Sequence, residues 1–246
     1  MQILYEDSQL LVCFKEAGEA VQSAGVRRPD LESRLRLYLS QRGISHSALH
    51  VVHRLDQPVQ GLVLFALTPG AASVLSSELT DGRMEKTYLA LVECASPKGE
   101  KLLEKALSGQ ETALEDYLLR DGKTNTSRIV KEGTPGAKKA LLHFSVAECD
   151  KEHSRALLKI RLKTGRHHQI RVQLAGAGLP IVGDRRYGKA APEAPFPCLC
   201  AWKLAFDHPQ TGKRMELEVP KERTFFGKSS EGLLIITGHS PQNKVE

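Results

Sequence analysis

The segment His53–Asp56 places a histidine, an arginine and a carboxylate within four residues. It lies in a polar stretch between two apolar runs, 49–52 and 61–67, so we predict a loop that joins two core strands. A loop carboxylate beside an arginine can stay ionised at neutral pH and act as a nucleophile or a base. The same residues also suit an aspartate that only caps its own loop, and spacing alone leaves both interpretations open.

A second segment with chemical potential, TGRHHQIR, runs from Thr164 to Arg171. It joins a predicted strand to a helix predicted over Arg166–Gly176, where free backbone N–H groups and basic side chains favour an anion. On such a helix Arg166 and Arg171 point about 140° apart, so one could bind a phosphate while the other serves the interior. Two adjacent histidines without a third ligand are more typical of a polar surface than of a metal site.

The elements that must hold these segments indicate one α+β domain. Apolar alternation or continuous apolar runs predict strands at 3–5, 10–14, 49–52, 61–67, 87–93, 127–130, 141–147, 156–162, 204–206 and 215–219. Helical spacing predicts helices over 31–39, 71–79 and 166–176, and a hairpin turn is expected at 208–212. We expect 95–140 to be turn-rich with only short strands. Strands outnumber helices in mixed order, which favours a mostly antiparallel sheet.

Composition and charge agree with a globular chain that faces a polyanion. The 246 residues are 41% hydrophobic and 26% charged, as in ordinary folded proteins, and the net charge is +6. The stretch 151–190 alone holds ten Lys or Arg and two acids, so the rest of the chain is slightly acidic. Charge concentrated in this way indicates a surface for a polyanion, with a solvated face as the alternative.

Other classes of protein are disfavoured by what the sequence lacks. No apolar run approaches the ~18–20 residues of a membrane span, and the N-terminus has no signal-peptide pattern, so we expect a cytoplasmic protein without a membrane partner. The five cysteines are scattered, and the pair Cys198 and Cys200 has no second pair or histidine cluster, which argues against a metal site. Glycine-rich nucleotide loops are also missing, so we expect neither metal nor cofactor.

Five stretches together resemble the RluA-type family of RNA pseudouridine synthases. HRLDQPVQGLVLFALT at 53–68 resembles the family signature H-R-L-D-x-x-T-S-G-L-L-L-F-A-K-T. TGRHHQIRVQLAGAGLPIVGDRRYG at 164–188 resembles T-G-R-x-H-Q-I-R-V-H-L-A-x-x-G-x-P-I-x-G-D-x-x-Y-G. Three shorter stretches match in the family's order, namely LYEDSQLLVCFKEAG, EKTYLALVE and LCAWKLAFDHPQTGKRMELEVP. The resemblance spans about residues 3–220.

The resemblance implies a fold and a reaction. The fold is a single pseudouridine-synthase-like α+β domain over 1–220, with a long, bent, mostly antiparallel mixed sheet, flanking helices and a central cleft. A tail, 221–246, follows and contains a possible last strand at Leu233–Ile236. The implied reaction isomerises uridine to pseudouridine in structured RNA, ribosomal or transfer RNA, without a cofactor. The uridine must be flipped out of its stack, and a monomer without an obligatory protein partner is expected.

The matched positions also imply roles for individual residues. Asp56 is the essential aspartate, which either attacks C1′ or helps to form a glycal by elimination. Tyr88 stacks on the target base and moves a proton, Arg171 pairs with Asp56 and keeps it anionic, and Arg54 fills the gap left by the flipped uridine. Four further residues are expected to contact RNA or to support the cleft: His53, Arg166, His168 and Gln169.

Departures from the family pattern leave alternatives open. Val59-Gln60 replaces Thr-Ser after the aspartate, and Cys200 replaces a histidine, which puts the hydrogen bonding around the loop in doubt. The family pattern begins near residue 3, so we expect no S4 RNA-binding domain before it and more RNA contact from the basic stretch. A non-catalytic RNA-binding protein on the same scaffold is one alternative. An unrelated hydrolase is another, although glycoside hydrolysis usually needs a second carboxylate near Asp56.

Overall fold

The computed structural model describes residues 2–23, 29–44, 48–150 and 154–220, together with 224, 228–229 and 232–233. The strands are β1 (Gln2–Glu6), β2 (Leu10–Lys15), β3 (His50–Val51), β4 (Gln60–Ala66), β5 (Glu85–Glu93), β6 (Thr112–Asp121), β7 (Thr126–Val130), β8 (Lys138–Asp150), β9 (Arg155–Leu162), β10 (Leu199–Asp207), β11 (Arg214–Glu218), β12 (Lys228–Ser229) and β13 (Gly232–Leu233). The helices are α1 (Leu31–Gln41), α2 (Pro69–Asp81), α3 (Pro97–Leu107) and α4 (Gln169–Gly176).

One large sheet organises the described part of the chain. Its strands follow the order β1-β2-β4-β10-β5-β9-β8-β6-β7, with β3 beside β4 and β11 beside β10. The pairing of β4 with β10 is parallel, and the other pairings of this sheet are antiparallel. The strands β12 and β13 form a separate two-stranded ribbon. This architecture confirms the predicted α+β class with a mixed, mostly antiparallel sheet.

Both faces of the sheet are covered around β2 and β4. Leu11 of β2 and Phe65 of β4 face the larger core, into which α1 inserts Leu31, Leu35 and Leu39. Their neighbours Leu10 and Leu64 face a second core, which α2 covers. Strands buried on both faces are continuously apolar, which explains why LLVCFK and GLVLFA lack polar alternation.

Three of the four helices in the described residues begin at a side-chain cap. Asp30, Thr68 and Ser96 each accept a hydrogen bond from a backbone N–H in the first turn of α1, α2 and α3. A proline opens α2 and α3, where its missing N–H costs nothing. Before α4, His168 instead adopts a left-handed backbone with φ of 54° and makes no side-chain cap. None of these helices is long and apolar enough to span a bilayer.

Local predictions hold where the hydrophobic pattern is strong. The hairpin around 208–212 is confirmed by the pairing of β10 with β11, and the predicted pairing of 141–147 with 156–162 is confirmed by β8 and β9. Of the predicted turn between them, 151–153 lie outside the described residues. In the tail, Leu233 belongs to β13, while the rest of the predicted strand, 234–236, also lies outside them.

Two predictions were wrong. The stretch 95–140 contains α3 and the ten-residue strand β6, rather than only turns and short strands. Ser96 and Pro97 did signal a helix start, but α3 is mostly polar, and only Gly99, Leu103 and Ala106 are buried. The helix predicted from Arg166 begins at Gln169, because the left-handed residue before it cannot belong to a right-handed helix.

Candidate active site

The loop that carries Asp56 connects β3 to β4 and is held by the end of β2. The fully buried Lys15 donates hydrogen bonds from Nζ to the backbone carbonyls of Glu16, Glu19 and Gln57, at 3.0, 2.7 and 3.0 Å. The backbone N–H of Gly18 donates to the same Gln57 carbonyl at 2.9 Å. Burial lowers the pKa of Lys15 to about 8, although neighbouring carboxylates oppose this shift. The carbonyl of Gln57, the residue next to Asp56, therefore accepts one hydrogen bond from the Lys15 ammonium and one from the Gly18 backbone amide.

Strand register brings Tyr88 beside this loop. Gly61 of β4 pairs with Ala201 of β10, which pairs in turn with Tyr88 of β5. The close approach requires glycine, because Gly61 has φ of 130° and a Cβ there would lie 2.4 Å from the Ala201 carbonyl oxygen. Burial raises the pKa of Tyr88 above its usual range, and the charge of Asp56 adds to this, so the phenol is neutral at pH 7.

Arg171 connects two carboxylates that differ in exposure. Its Nε and Nη2 donate to Oδ2 and Oδ1 of Asp184 at 2.7 and 2.8 Å, and its Nη1 donates to Asp56 Oδ2 at 3.3 Å. The side chains of Arg171 and Asp184 are 5% and 1% exposed, whereas that of Asp56 is 26% exposed. Burial opposes the charge on Arg171, but the hydrogen bonds to Asp184 raise its pKa above the usual range. The buried pair thus holds one guanidinium nitrogen toward the more accessible carboxylate.

Asp184 is a site residue that the sequence analysis did not single out. Besides the arginine, its Oδ1 accepts hydrogen bonds from the backbone N–H groups of Arg186 and Tyr187, at 3.0 and 3.3 Å. It belongs to the matched stretch GDRRYG, which was quoted for the resemblance without a role. The aspartate is a fixed position of the family pattern G-D-x-x-Y-G, and this match was the signal that could have identified Asp184 as a site residue.

His168 approaches the same oxygen of Asp56 as Arg171 does. Its Nε2 is 3.6 Å from Asp56 Oδ2, and its Nδ1 is 2.7 Å from the Tyr187 hydroxyl. The ring stacks on His167 with centroids 3.7 Å apart. Burial, followed by the charge of Arg171, lowers the pKa of His168 to about 3, so the imidazole is neutral near pH 7.

Gln169 and His53 hold the backbone around the site. Gln169 is 3% exposed, accepts from the Thr164 hydroxyl at 2.8 Å, and donates to the Leu141 carbonyl at 3.1 Å. His53 accepts a hydrogen bond at Nε2 from the backbone N–H of Leu64 at 3.3 Å, and burial lowers its pKa to about 3. Both side chains therefore have internal partners in the protein.

Arg54 and Arg166 are the exposed cations of the predicted set. Arg166 donates from Nε to the Lys139 carbonyl at 2.8 Å, which leaves the end of its guanidinium toward solvent. Within the described residues, no ion pair is recorded for Arg54. The charge of the basic stretch is divided between two faces of the sheet, because Lys159 lies 5.6 Å from the Trp202 ring on the face opposite the buried Ile160. Only part of the positive charge of 151–190 therefore surrounds the site.

Two residues that depart from the family pattern lie next to each other in the sheet. Gln60 and Cys200 are register partners in the parallel pairing of β4 with β10, and both are buried. Burial raises the pKa of the Cys200 thiol to about 12, while a hydrogen bond with Gln60 acts in the opposite direction. Val59 lies in the larger core, and its N–H donates to the Asp56 carbonyl at 3.0 Å. The loop thus closes without the hydroxyl groups of the family pattern.

Two oxygen atoms of the site lack a hydrogen-bond partner among the described residues. A carboxylate oxygen, Asp56 Oδ1, has no recorded hydrogen bond within the described residues, whereas Oδ2 faces Arg171 and His168. The Tyr88 hydroxyl likewise has no recorded hydrogen bond there. No group of three or more His, Cys, Asp or Glu in the described ranges is arranged to hold a metal ion.

Comparisons with known proteins agree with this geometry. The family model for RNA pseudouridylate synthase matches residues 9–176. The uncharacterised RNA pseudouridine synthase YhcT of Bacillus subtilis is 30% identical over 220 residues, which cover 89% of this chain and 68% of that protein. Ribosomal large subunit pseudouridine synthase D of Vibrio cholerae is 31% identical over 235 residues, covering 89% and 67%. Human RNA pseudouridylate synthase domain containing 1 shares the fold with a TM-score of 0.67 at 23% identity, covering 89% of this chain and 82% of that one. The chain belongs to the RNA pseudouridylate synthase family and is an RNA pseudouridine synthase.

Proposed function

We propose that this enzyme isomerises a uridine of ribosomal RNA, with Asp56 as the reactive carboxylate. The observation that carries the assignment is the shared arginine. Arg171 is locked by the buried Asp184 and directs its remaining nitrogen to Asp56 at 3.3 Å. A fixed positive charge beside a partly exposed carboxylate orients it and stabilises its charge in a desolvated site.

The reaction can be written on these atoms. Asp56 Oδ1 either attacks C1′ or removes the C2′ proton to give a glycal, and in both routes the N1–C1′ bond breaks with its electron pair on uracil. The detached base turns and C5 bonds to C1′. This step breaks the Asp56–C1′ ester bond in the first route, or returns the proton to C2′ in the second. The C5 proton then leaves, and N1 becomes protonated. Tyr88 supplies a flat ring for the base, and its neutral hydroxyl suits proton donation better than proton removal.

Contacts to RNA are assigned to the exposed cations near the site. C1′ of a stacked uridine is out of reach, so the nucleotide must be extruded at a cost of a few kcal/mol. Arg54, which lies in the same loop as Asp56 and has no ion pair within the described residues, is proposed to occupy the vacated space. The exposed end of Arg166 is proposed to contact a phosphate, which makes binding weaker at high salt.

We favour ribosomal RNA as the substrate for one reason. Two proteins that match this chain, one from Vibrio cholerae and one from Pseudomonas aeruginosa, are named ribosomal large subunit pseudouridine synthases. Transfer RNA is the alternative substrate, and the experiment below separates the two. We further propose that the enzyme acts as a cytoplasmic monomer without an obligatory protein partner.

The proposal is tested by mapping pseudouridines in the organism that encodes the chain. A deletion strain is complemented with the wild-type gene or with Asp56→Asn. We expect at least one ribosomal pseudouridine to be missing in the deletion strain, restored by the wild type and not by the variant. Loss confined to transfer RNA would overturn the ribosomal assignment, and restoration by Asp56→Asn would overturn the role of Asp56.

A further inference from the structure

A chain of hydrogen bonds runs from the backbone of Ser127 through the Tyr187 hydroxyl to the imidazole of His168. The backbone N–H of Ser127 donates to the Tyr187 hydroxyl oxygen at 2.8 Å. The single hydroxyl hydrogen of Tyr187 is then available for its other partner, His168 Nδ1, at 2.7 Å. A neutral imidazole has one donor and one acceptor nitrogen, so an accepting Nδ1 leaves the hydrogen on Nε2. That hydrogen is carried by the nitrogen that faces Asp56.

We propose that His168 is a positioning residue that donates from Nε2–H to Asp56 Oδ2 during the reaction. This inference rests on the proposed role of Asp56. The present separation of 3.6 Å is longer than a good hydrogen bond, and catalytic hydrogen bonds commonly shorten when substrate binds. Because Arg171 Nη1 approaches the same oxygen at 3.3 Å, two donors hold Oδ2 and orient Oδ1 toward the substrate.

The donor chain begins on the hairpin formed by β6 and β7, far from Asp56 in sequence. Ser127 lies on β7, and its hydroxyl is 2.9 Å from Nδ1 of His167, the ring that stacks on His168. Arg186 also donates from Nη1 to the Thr124 carbonyl in the hairpin turn at 3.3 Å. The hairpin therefore fastens the segment that contains Asp184 and Tyr187, and it supplies the backbone donor that sets the tautomer.

A purely structural role for His168 makes a different prediction. The Tyr187 ring lies 5.1 Å from the Arg171 guanidinium, so Tyr187→Phe keeps this contact and removes only the hydroxyl. If His168 only fills space, this variant should leave the chemical step unchanged. If the tautomer matters, loss of the hydroxyl releases Nδ1 from its donor and allows the proton to move there.

The first measurement is the nitrogen-15 NMR spectrum of the histidine rings in the full-length enzyme at pH 7. The His168 signal is assigned through its loss in His168→Gln. We expect the wild type to carry hydrogen on Nε2, and Tyr187→Phe to show a mixture of both tautomers. Hydrogen on Nδ1 in the wild type would overturn the inference, whatever the activity of the variants.

The second measurement is steady-state kinetics of pseudouridine formation. A lost hydrogen bond to a charged group corresponds to a fall in kcat of about 10- to 100-fold, which we expect for His168→Leu and, to a smaller extent, for Tyr187→Phe. KM should change by less than about twofold, since no RNA contact is removed. His168→Gln keeps a side-chain N–H donor and should retain more of kcat than His168→Leu. Equal kcat in the glutamine and leucine variants would contradict a donor role.

A matched control lies on the same hairpin. Tyr117 of β6 donates its hydroxyl to the exposed Glu132, away from the donor chain, so Tyr117→Phe should leave kcat unchanged. Asp56→Asn is measured in parallel. Activity in Asp56→Asn would refute the proposed function itself, whereas an inactive Asp56→Asn with full activity in both His168 variants would refute only the present inference.

Discussion

The two carboxylates that contact Arg171 should respond very differently to the same change, Asp→Asn. In Asp184→Asn, an amide replaces the carboxylate that accepts two hydrogen bonds from the arginine at 2.7 and 2.8 Å. If the amide oxygen stays with the backbone donors of Arg186 and Tyr187, its NH₂ group faces the arginine Nε–H, which places donor against donor. The buried guanidinium then loses its Nε partner and the opposite charge beside it, and it keeps the Nη2 contact with the amide oxygen and the longer contact with Asp56 at 3.3 Å.

The expected magnitude follows from burial. Breaking one partner of a buried ion pair costs about 3–5 kcal/mol, and Arg171 and Asp184 are 5% and 1% exposed. Since domains have a total stability of about 5–15 kcal/mol, Asp184→Asn should lose a large fraction of it. Asp56→Asn removes a contact of a 26% exposed side chain and leaves the buried pair intact, so it should cost about 1 kcal/mol or less.

Urea unfolding of the wild type and the two variants measures both losses of unfolding free energy. The protein has a single tryptophan, Trp202, which lies on the central strand β10 and reports unfolding by its fluorescence. Turnover is measured on the same preparations at low temperature, where Asp184→Asn should be folded and impaired and Asp56→Asn should be folded and inactive. Two results would refute this account of the shared arginine. One is a loss of unfolding free energy below about 1 kcal/mol in Asp184→Asn, and the other is a loss above about 1 kcal/mol in Asp56→Asn.

Three further changes test other parts of the structure. Lys15→Met removes an ammonium whose folded pKa of about 8 lies below its ordinary 10.5. Between these two pH values the unfolded chain binds more protons than the folded one. The unfolding free energy of the wild type, measured relative to that of the variant, should therefore rise by up to about 3 kcal/mol from about pH 8 to 10.5. A fall of this difference over the same range would contradict the expectation. Gly61→Ala should severely destabilise the protein in thermal melts, since its Cβ would lie 2.4 Å from the Ala201 carbonyl oxygen. Arg54→Ala should raise KM for RNA and leave the melting temperature unchanged; an unchanged KM would remove Arg54 from the RNA contacts.

The sequence predicted the elements whose hydrophobic pattern is set by local burial. The continuous apolar runs of β2 and β4 are buried on both faces, and α1 presents Leu31, Leu35 and Leu39 at helical spacing. In contrast, α3 buries only three residues and β6 alternates weakly because it lies near one end of the sheet. Their composition resembles that of loops, so the pattern alone could not reveal them.

The candidate site was predictable only where its residues stand in sequence motifs. Asp56, Tyr88 and Arg171 stand in matched motifs, and the structure brings Arg171 into contact with Asp56 across 115 positions of sequence. Ser127 contributes through its backbone N–H, which any residue except proline provides, so no side-chain pattern marks it. The tautomer of His168 depends on this distant amide and on Tyr187, and such a dependence exists only in the folded chain.

The most direct test of the central claim follows tritium at uracil C5, since isomerisation must expel that hydrogen. The purified wild type and Asp56→Asn are incubated with ribosomal RNA that carries tritium at this position, and their folding is compared by circular dichroism. Our account predicts release of tritium to water by the wild type, with no loss of uracil from the RNA, and no release by a folded Asp56→Asn. Comparable release by the two proteins would contradict the assignment of Asp56 as the reactive carboxylate.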